Sequence, residues 1–167
     1  MSDEDIACLT HIIEEREPHR VLEWGSGNST AYFSDILYPL LGYEGKWVSI
    51  EDNGHYVDYL QDKISHDFVT VFWVQDRADY VDCVKKHLKK YDLIIIDGIS
   101  ELREACMEAA MGMIADDGLI LLHDSQRKEY VEWVRKYPNH VVLTKGELPD
   151  GPDNFIHRGF TAFYPTV

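Results

Sequence analysis

The chain has 167 residues, 45% of them hydrophobic and 28% charged, which suits a globular fold and excludes a disordered one. Thirty acidic residues against sixteen basic ones give a formal charge of -14, a surface that repels phosphate backbones and anionic lipids. Nucleic-acid and membrane partners are therefore disfavoured, whereas small neutral or cationic ligands are not. The length predicts one domain over residues 1–167. Cys8, Cys83 and Cys106 are odd in number and far apart, which fits a reducing compartment better than a disulfide framework or a zinc site. The acidic opening Met1-Ser2-Asp3-Glu4-Asp5 is wrong for a signal peptide, and the aliphatic runs are too short to span a bilayer. The expectation is a soluble, cytoplasmic protein.

Residues 2–16 form the first predicted helix, with Ser2 and Asp5 as its cap and Ile6, Leu9, Ile12 and Ile13 on one apolar face. Pro18 ends it. A buried strand at 21–24 runs into Gly25-Ser26-Gly27, after which Asn28, Ser29 and Thr30 can cap a helix over 29–37. Phe33, Ile36 and Leu37 face inward, and Pro39 and Gly42 stop the helix. A second strand at 46–51 ends in Glu51-Asp52, and Asn53 caps a helix that turns Tyr56, Val57, Leu60 and Ile64 inward. The third strand, 68–74, ends at Gln75-Asp76. A helix over 77–90 buries Ala78, Val81, Val84 and Leu88, and its Lys85, Lys86, Lys89 and Lys90 read as a solvated end favoured by the helix dipole.

The continuous apolar run 91–96 reads as a central parallel strand, ending at Asp97-Gly98. Ser100 caps a helix with Ala105, Cys106, Ala109, Ala110, Met113 and Ile114 on one face. Gly118 leads into a buried strand at 119–122 that ends at His123-Asp124-Ser125, and the helix after it stops at Pro138. Strands at 141–144 and 159–164 follow, separated by a polar loop whose Phe155, His157 and Arg158 suit either a lid or a solvated connection. Trp47 and Trp73 read as packing, and Trp24 as packing against the sheet in preference to stacking on a ligand. Repeated strand–helix alternation predicts an α/β fold: a Rossmann-like, doubly wound, mostly parallel seven-stranded sheet with helices on both faces. The last two strands lack a helix between them and pair antiparallel at one edge.

In such sheets ligands bind beyond the carboxyl ends of the strands, near the point where strand order reverses. Glu23, Glu51, Asp76, Asp97 and Asp124 all fall at predicted strand ends on that rim. Gly25 and Gly27 let the backbone approach a ligand closely. Glu23, two residues before the first glycine, would repel a pyrophosphate and attract a cation. The dinucleotide fingerprint G-x-G-x-x-G is broken by Thr30 in its sixth position, although Glu51 sits about where a ribose-binding acid belongs. A GxxxxGK[ST] loop is absent.

A cationic nucleoside fits better. The motifs Glu23-Trp24-Gly25-Ser26-Gly27, Glu51, Asp76, Asp97-Gly98 and His123-Asp124-Ser125, in that order, resemble the class I S-adenosylmethionine-dependent methyltransferases, small catechol O-methyltransferase-like type. The resemblance covers nearly the whole chain. It implies S-adenosyl-L-methionine as cofactor, with Glu23, Gly25, Ser26 and Gly27 at its methionine end. Glu51, with Asp52 beside it, would hold the ribose hydroxyls, and Gln75 and Asp76 the adenine. Asp97 would face the sulfonium, and the acceptor would be an oxygen, less readily a nitrogen, of a small molecule.

Metal-dependent relatives hold Mg2+ or another divalent cation on two strand-end aspartates and an asparagine. Asp97 and Asp124 match two of these ligands, and Ser125, a weaker one, stands at the third position. Many relatives carry a histidine after the Asp-Gly pair, where Ile99-Ser100 stand here. His123 is the substitute base, or else a histidine packed at a strand end. Asp97, His123 and Asp124 are thus the catalytic candidates. The departures at Ser100 and Ser125 sustain a second reading, a non-catalytic domain that binds the cofactor or a partner. Self-association into a homo-oligomer is left open.

Overall fold

Ser2 caps the first helix, α1 (Asp3–Arg16), in the anticipated way: its hydroxyl accepts from the Asp5 backbone N–H, and the Asp5 carboxylate accepts from the Ser2 N–H. Glu17 closes the helix in a left-handed conformation before Pro18. The computed structural model describes residues 1–41, 44–84, 90–145 and 159–165. The strands are β1 (Arg20–Trp24), β2 (Lys46–Glu51), β3 (Val69–Trp73), β4 (Tyr91–Ile96), β5 (Ile114–His123), β6 (His140–Val142) and β7 (Phe160–Phe163). Between them lie α2 (Asn28–Leu41), α3 (Gly54–Gln61), α4 (Arg77–Asp82), α5 (Arg103–Met113) and the short α6 (Val131–Val134).

One seven-stranded sheet has the order β3-β2-β1-β4-β5-β7-β6. The first five strands pair in parallel, and β7 runs antiparallel to both β5 and β6, as the sequence predicts. Chain order reverses between β1 and β4. The register aligns Trp24 with both Ile50 and Ile96, and Ile96 with Leu122, so the residues after these strands meet on one rim. Side-chain alternation divides the apolar residues into two cores. Leu22, Trp24, Ile50, Ile94 and Ile96 pack with Tyr80, Cys106, Met107 and Trp133 on one face. Val21, Trp47, Leu93 and Ile95 pack with Leu9, Ile13, Phe33 and Leu37 on the other.

Several boundaries differ from the sequence reading. Helix α2 continues through Pro39, which sits in its last turn, where a missing N–H costs one hydrogen bond and the fixed φ still suits a helix. Helix α4 is short. The Val84 side chain is still buried, but the predicted helical positions 85–89, with Lys85, Lys86, Leu88 and Lys89, lie outside the described residues, as do Gly42 and the loop residues Phe155, His157 and Arg158. Ser100 opens a 3-10 turn rather than capping α5, and another such turn, Lys128–Tyr130, precedes α6. Trp24 and Trp47 are buried, whereas Trp73 is 58% exposed because it ends the edge strand and lies over Gly54, which has no side chain to cover it. Among the described residues no helix is long and apolar enough to cross a membrane.

At the reversal point two glycines touch. Gly25 has φ +92°, and a Cβ there would lie 2.5 Å from the Gly98 nitrogen. Gly25→Ala is expected to cost about 1–3 kcal/mol of stability through the strained φ and this clash. Gly27→Ala, where a Cβ meets nothing nearer than the Ser29 hydroxyl at 3.9 Å, is expected to unfold in urea close to the wild-type midpoint. Similar midpoints for the two variants would contradict this.

Candidate active site

The glycine turn is held from below. Glu23 is 1% exposed, and one of its oxygens, Oε2, accepts from the Thr30 hydroxyl at 2.8 Å, the Ser49 hydroxyl at 2.8 Å and the Trp47 indole at 3.1 Å. Thr30 also accepts from the Gly27 N–H at 2.9 Å, so one hydroxyl links the turn to the buried acid. Gly25 donates to the Ile50 carbonyl, and Asp97 donates to that of Trp24. Glu23 thus lies under the turn, inside the sheet. Burial pushes its carboxyl up to about 7, against the opposing hydrogen bonds from Ser49, Thr30 and Trp47.

Glu51 ends β2 on the rim, nearly buried. Its two oxygens accept from the Ser26 hydroxyl at 3.2 Å and the Asn53 N–H at 2.9 Å, which fixes the carboxylate beside the turn. Asp52 is exposed and its carbonyl accepts from the Trp73 indole at 3.2 Å. Asp76 caps α4 by accepting from the Ala78 N–H at 2.8 Å, and Gln75 beside it is exposed. Glu51, Asp52, Gln75 and Asp76 therefore line the ends of β2 and β3, with the exposed Trp73 ring bonded to the Asp52 carbonyl and lying over Gly54.

Asp97 and Asp124 belong to a different environment, at the ends of β4 and β5. Asp97 Oδ1 accepts from Arg103 Nη2 at 3.0 Å and faces His123 Nδ1 at 2.8 Å. Asp124, in a left-handed conformation with φ 55°, is ion-paired with Arg127 through Oδ2, with Arg103 Nη1 3.8 Å from the same oxygen. Arg103 is buried and also donates to the carbonyls of Gly98, Asp97 and His123, tying the two strand ends together. His123 Nε2 lies 3.4 Å from Asp5 Oδ2, and Asp5 accepts a 2.5 Å bond from the Thr144 hydroxyl. Burial would lower the His123 pKa, but Asp5, Asp97 and Asp124 outweigh it and raise the pKa to about 9. Burial likewise opposes ionisation of Asp5, yet hydrogen bonds from His123, Thr144 and Ser2 hold its carboxyl well below the usual range. Three carboxylates face three cationic side chains.

Ligand atoms of Asp97, His123 and Asp124 lie within 4.8 Å of one another, a spacing that suits a metal. The donors do not. One oxygen of each aspartate, Asp97 Oδ1 and Asp124 Oδ2, is already engaged by guanidinium or imidazole groups, so a metal there would sit against fixed positive charge. The Ser125 hydroxyl is bonded to Thr161 at 2.7 Å and faces the Gly159 carbonyl, within the β5–β7 pairing. A divalent ion needs a shell of available oxygens.

Residues 22–125, which contain the glycine turn, Glu51, Asp76, Asp97 and Asp124, match the family model of a methyltransferase domain. The chain belongs to that family. No curated protein matches this methyltransferase domain in sequence. Among solved structures it is similar to an O-methyltransferase from Bacillus cereus in complex with SAH: 17% identity, TM-score 0.73, over 97% of this chain and 80% of that one. It is similar also to the O-methyltransferase TomG from Streptomyces achromogenes in complex with SAM: 15% identity, TM-score 0.71, over 99% and 82% of the two chains. SAH-bound PaMTH1 from Podospora anserina shows 16% identity and a TM-score of 0.68, over 95% and 76%.

Sequence reasoning missed Asp5, Arg103 and Arg127 in this methyltransferase domain. Arg103 alone carried a signal, because it falls three residues before Cys106 on the buried stripe of α5. An arginine on an apolar stripe needs a buried anion.

Two outcomes test this electrostatic picture. Because the Glu23 pKa is raised above its unfolded value, its stabilising contribution is complete below pH 4.5 and lost as pH rises through about 7. Glu23→Gln keeps an acceptor for the three donors, so calorimetry should show a flatter fall of Tm between pH 5 and 8 than in the wild type. Asp5→Asn removes an anion from His123 and should move its ring titration, read by NMR, down from about 9. An unmoved titration would mean that Asp5 does not act on the ring.

Proposed function

We propose that this methyltransferase domain, residues 1–167 acting as one unit, transfers a methyl group from S-adenosyl-L-methionine to an oxygen, less readily a nitrogen, of a small-molecule acceptor. The observation that carries the reading is the rim itself. A turn open to close approach at Gly27 stands beside a fixed, nearly buried carboxylate, Glu51, at the point where strand order reverses. The bound states named for the Bacillus cereus and Streptomyces achromogenes structures support the same cofactor.

Bound S-adenosylmethionine supplies a methyl group already activated by a positive sulfur. The acceptor hydroxyl takes that methyl in exchange for its proton, which passes to water, and S-adenosylhomocysteine is the leaving group. The residues of the chain bind and orient. Glu51 accepts from the ribose hydroxyls, a role suited to a carboxylate whose position Ser26 and Asn53 set. Gly25, Ser26 and Gly27 receive the methionine end, and Glu23 acts on it through the shape of the turn. Asp52, Gln75 and Asp76 frame the base. Asp97 presents negative charge towards the sulfonium, and His123, bonded on both nitrogens, holds Asp97 in place rather than removing a proton. Alignment of donor and acceptor can supply on the order of 7–11 kcal/mol of the barrier in favourable cases. The acid-rich composition agrees with a small acceptor rather than a nucleic acid, and with a soluble, cytoplasmic setting.

Calorimetric titration with S-adenosylmethionine and S-adenosylhomocysteine tests the cofactor, and a methyl-transfer screen tests catalysis. Glu51→Ala should weaken both ligands by about 2–3 kcal/mol, roughly a hundredfold, with a smaller loss of stability. Equal affinity in the variant would remove Glu51 from the ribose. Tight binding without transfer to any acceptor would leave the non-catalytic reading.

A further inference from the structure

We infer that Arg103 and Arg127 occupy the place of a divalent metal at the Asp97–Asp124 pair, so that this centre is built to work without one. The inference stands on charge geometry at the ends of β4 and β5 and is independent of which cofactor binds on the rim. A metal between two strand-end aspartates does two things: it cancels their repulsion and fixes the strand ends relative to each other. Arginine side chains already do both here. Arg103 Nη2 lies 3.0 Å from Asp97 Oδ1, and Nη1 of the same guanidinium lies 3.8 Å from Asp124 Oδ2. Its other bonds, to the carbonyls of Gly98 and His123, clamp the two loops on either side. Arg127 closes on Asp124 Oδ2 and is steadied by a 3.2 Å bond to the Ser100 hydroxyl.

Two further features oppose a metal. His123 faces Asp97 and Asp124 through Nδ1, at 2.8 and 3.7 Å, and faces Asp5 through Nε2. An imidazole held between carboxylates is a donor rather than a metal ligand, because coordination would need its lone pair. Ser125, the third position of the expected ligand set, is turned into the sheet towards Thr161 and Gly159. A divalent ion would therefore have to enter among fixed positive groups that already hold one oxygen of each aspartate. Arginine cannot yield by losing its proton. Arg127, with 30% of its side chain exposed, and Asp97, with 22%, are the parts of this arrangement that reach the surface.

The test uses Mn2+ as probe and needs no turnover, so its result survives even if the methyl-transfer reading fails. Full-length wild type, Asp124→Asn and Arg127→Gln are titrated with Mn2+ while the free-ion EPR signal is followed. Wild type and Asp124→Asn should take up the ion equally and weakly, as expected for loose attraction to an acidic surface. Arg127→Gln, which exposes Asp124, should bind at least about tenfold more tightly. Wild-type binding tenfold tighter than in Asp124→Asn would overturn the proposal, and so would an Arg127→Gln variant with no gain. Should Asp124→Asn fail to fold, the wild-type Tm in Mg2+ against EDTA at matched ionic strength decides. No shift supports a site filled by arginine, and a rise of several degrees refutes it.

Discussion

The contact on which the rim depends is backbone against backbone. The turn after β1 and the turn after β4 meet where strand order reverses, and they can do so only because Gly25 and Gly98 stand face to face. The space on the far side of Gly98 is filled by Tyr80, whose hydroxyl would lie 2.2 Å from a Cβ there. Tyr80 is anchored in turn, since its carbonyl accepts from the Trp24 indole at 3.2 Å. A side chain at Gly25 would therefore push the ends of β1 and β4 apart, and one at Gly98 would displace Tyr80. The hydrogen bonds from Gly25 to Ile50 and from Asp97 to Trp24 extend the parallel ladder past the strand ends and keep both turns in register.

The five rim acids look alike in the sequence, yet the structure gives them four kinds of surroundings. Glu23 is enclosed by Trp47, Ser49 and Thr30; Glu51 is partnered and faces the rim; Asp76 caps a helix; Asp97 and Asp124 are paired with arginine and histidine. Strand ends and their order could be read from period and from the glycines, because these depend on local sequence. Which acid meets a cation depends on α5, on the turn before α6 and on the N-terminal helix, all distant in the chain. Their arrival at the rim is a tertiary event, and Arg103 on its buried stripe is the one local sign of it.

Fold legibility followed the same division. The long apolar run of β4 and the capping box of α1 were unambiguous, since each carries several consistent signals within a few residues. Pro39 misled because proline is judged as a helix breaker, whereas in a last turn it removes a single bond. Trp73 misled because alternation places a side chain on a face without saying whether anything covers that face at a sheet edge. The arginine at position 103 shows in the sequence only as an oddity of its own helix. Its neighbours Cys106, Met107 and Ala110 define an apolar stripe, and a cation within such a stripe makes sense only once Asp97 and Asp124 are known to lie opposite.

Helix α1 belongs to the same electrostatic unit, although it precedes every motif. Asp5 is buried at 1% exposure, and it serves both as the reciprocal partner of the Ser2 cap and as the acceptor for Thr144 and His123. Thr144 passes the connection on by accepting from the Phe160 N–H, which ties the start of β7 to the residues just after β6. The strand end that bears His123 and Asp124 is thus steadied from three directions: by α1 through Asp5, by α5 through Arg103 and by β7 through the sheet. A buried carboxylate is costly without partners, so each contact to Asp5 makes the others more favourable to keep. Opening any one would leave a polar group unpaired at the centre, which explains how a site with six acidic and basic side chains can hold a single geometry.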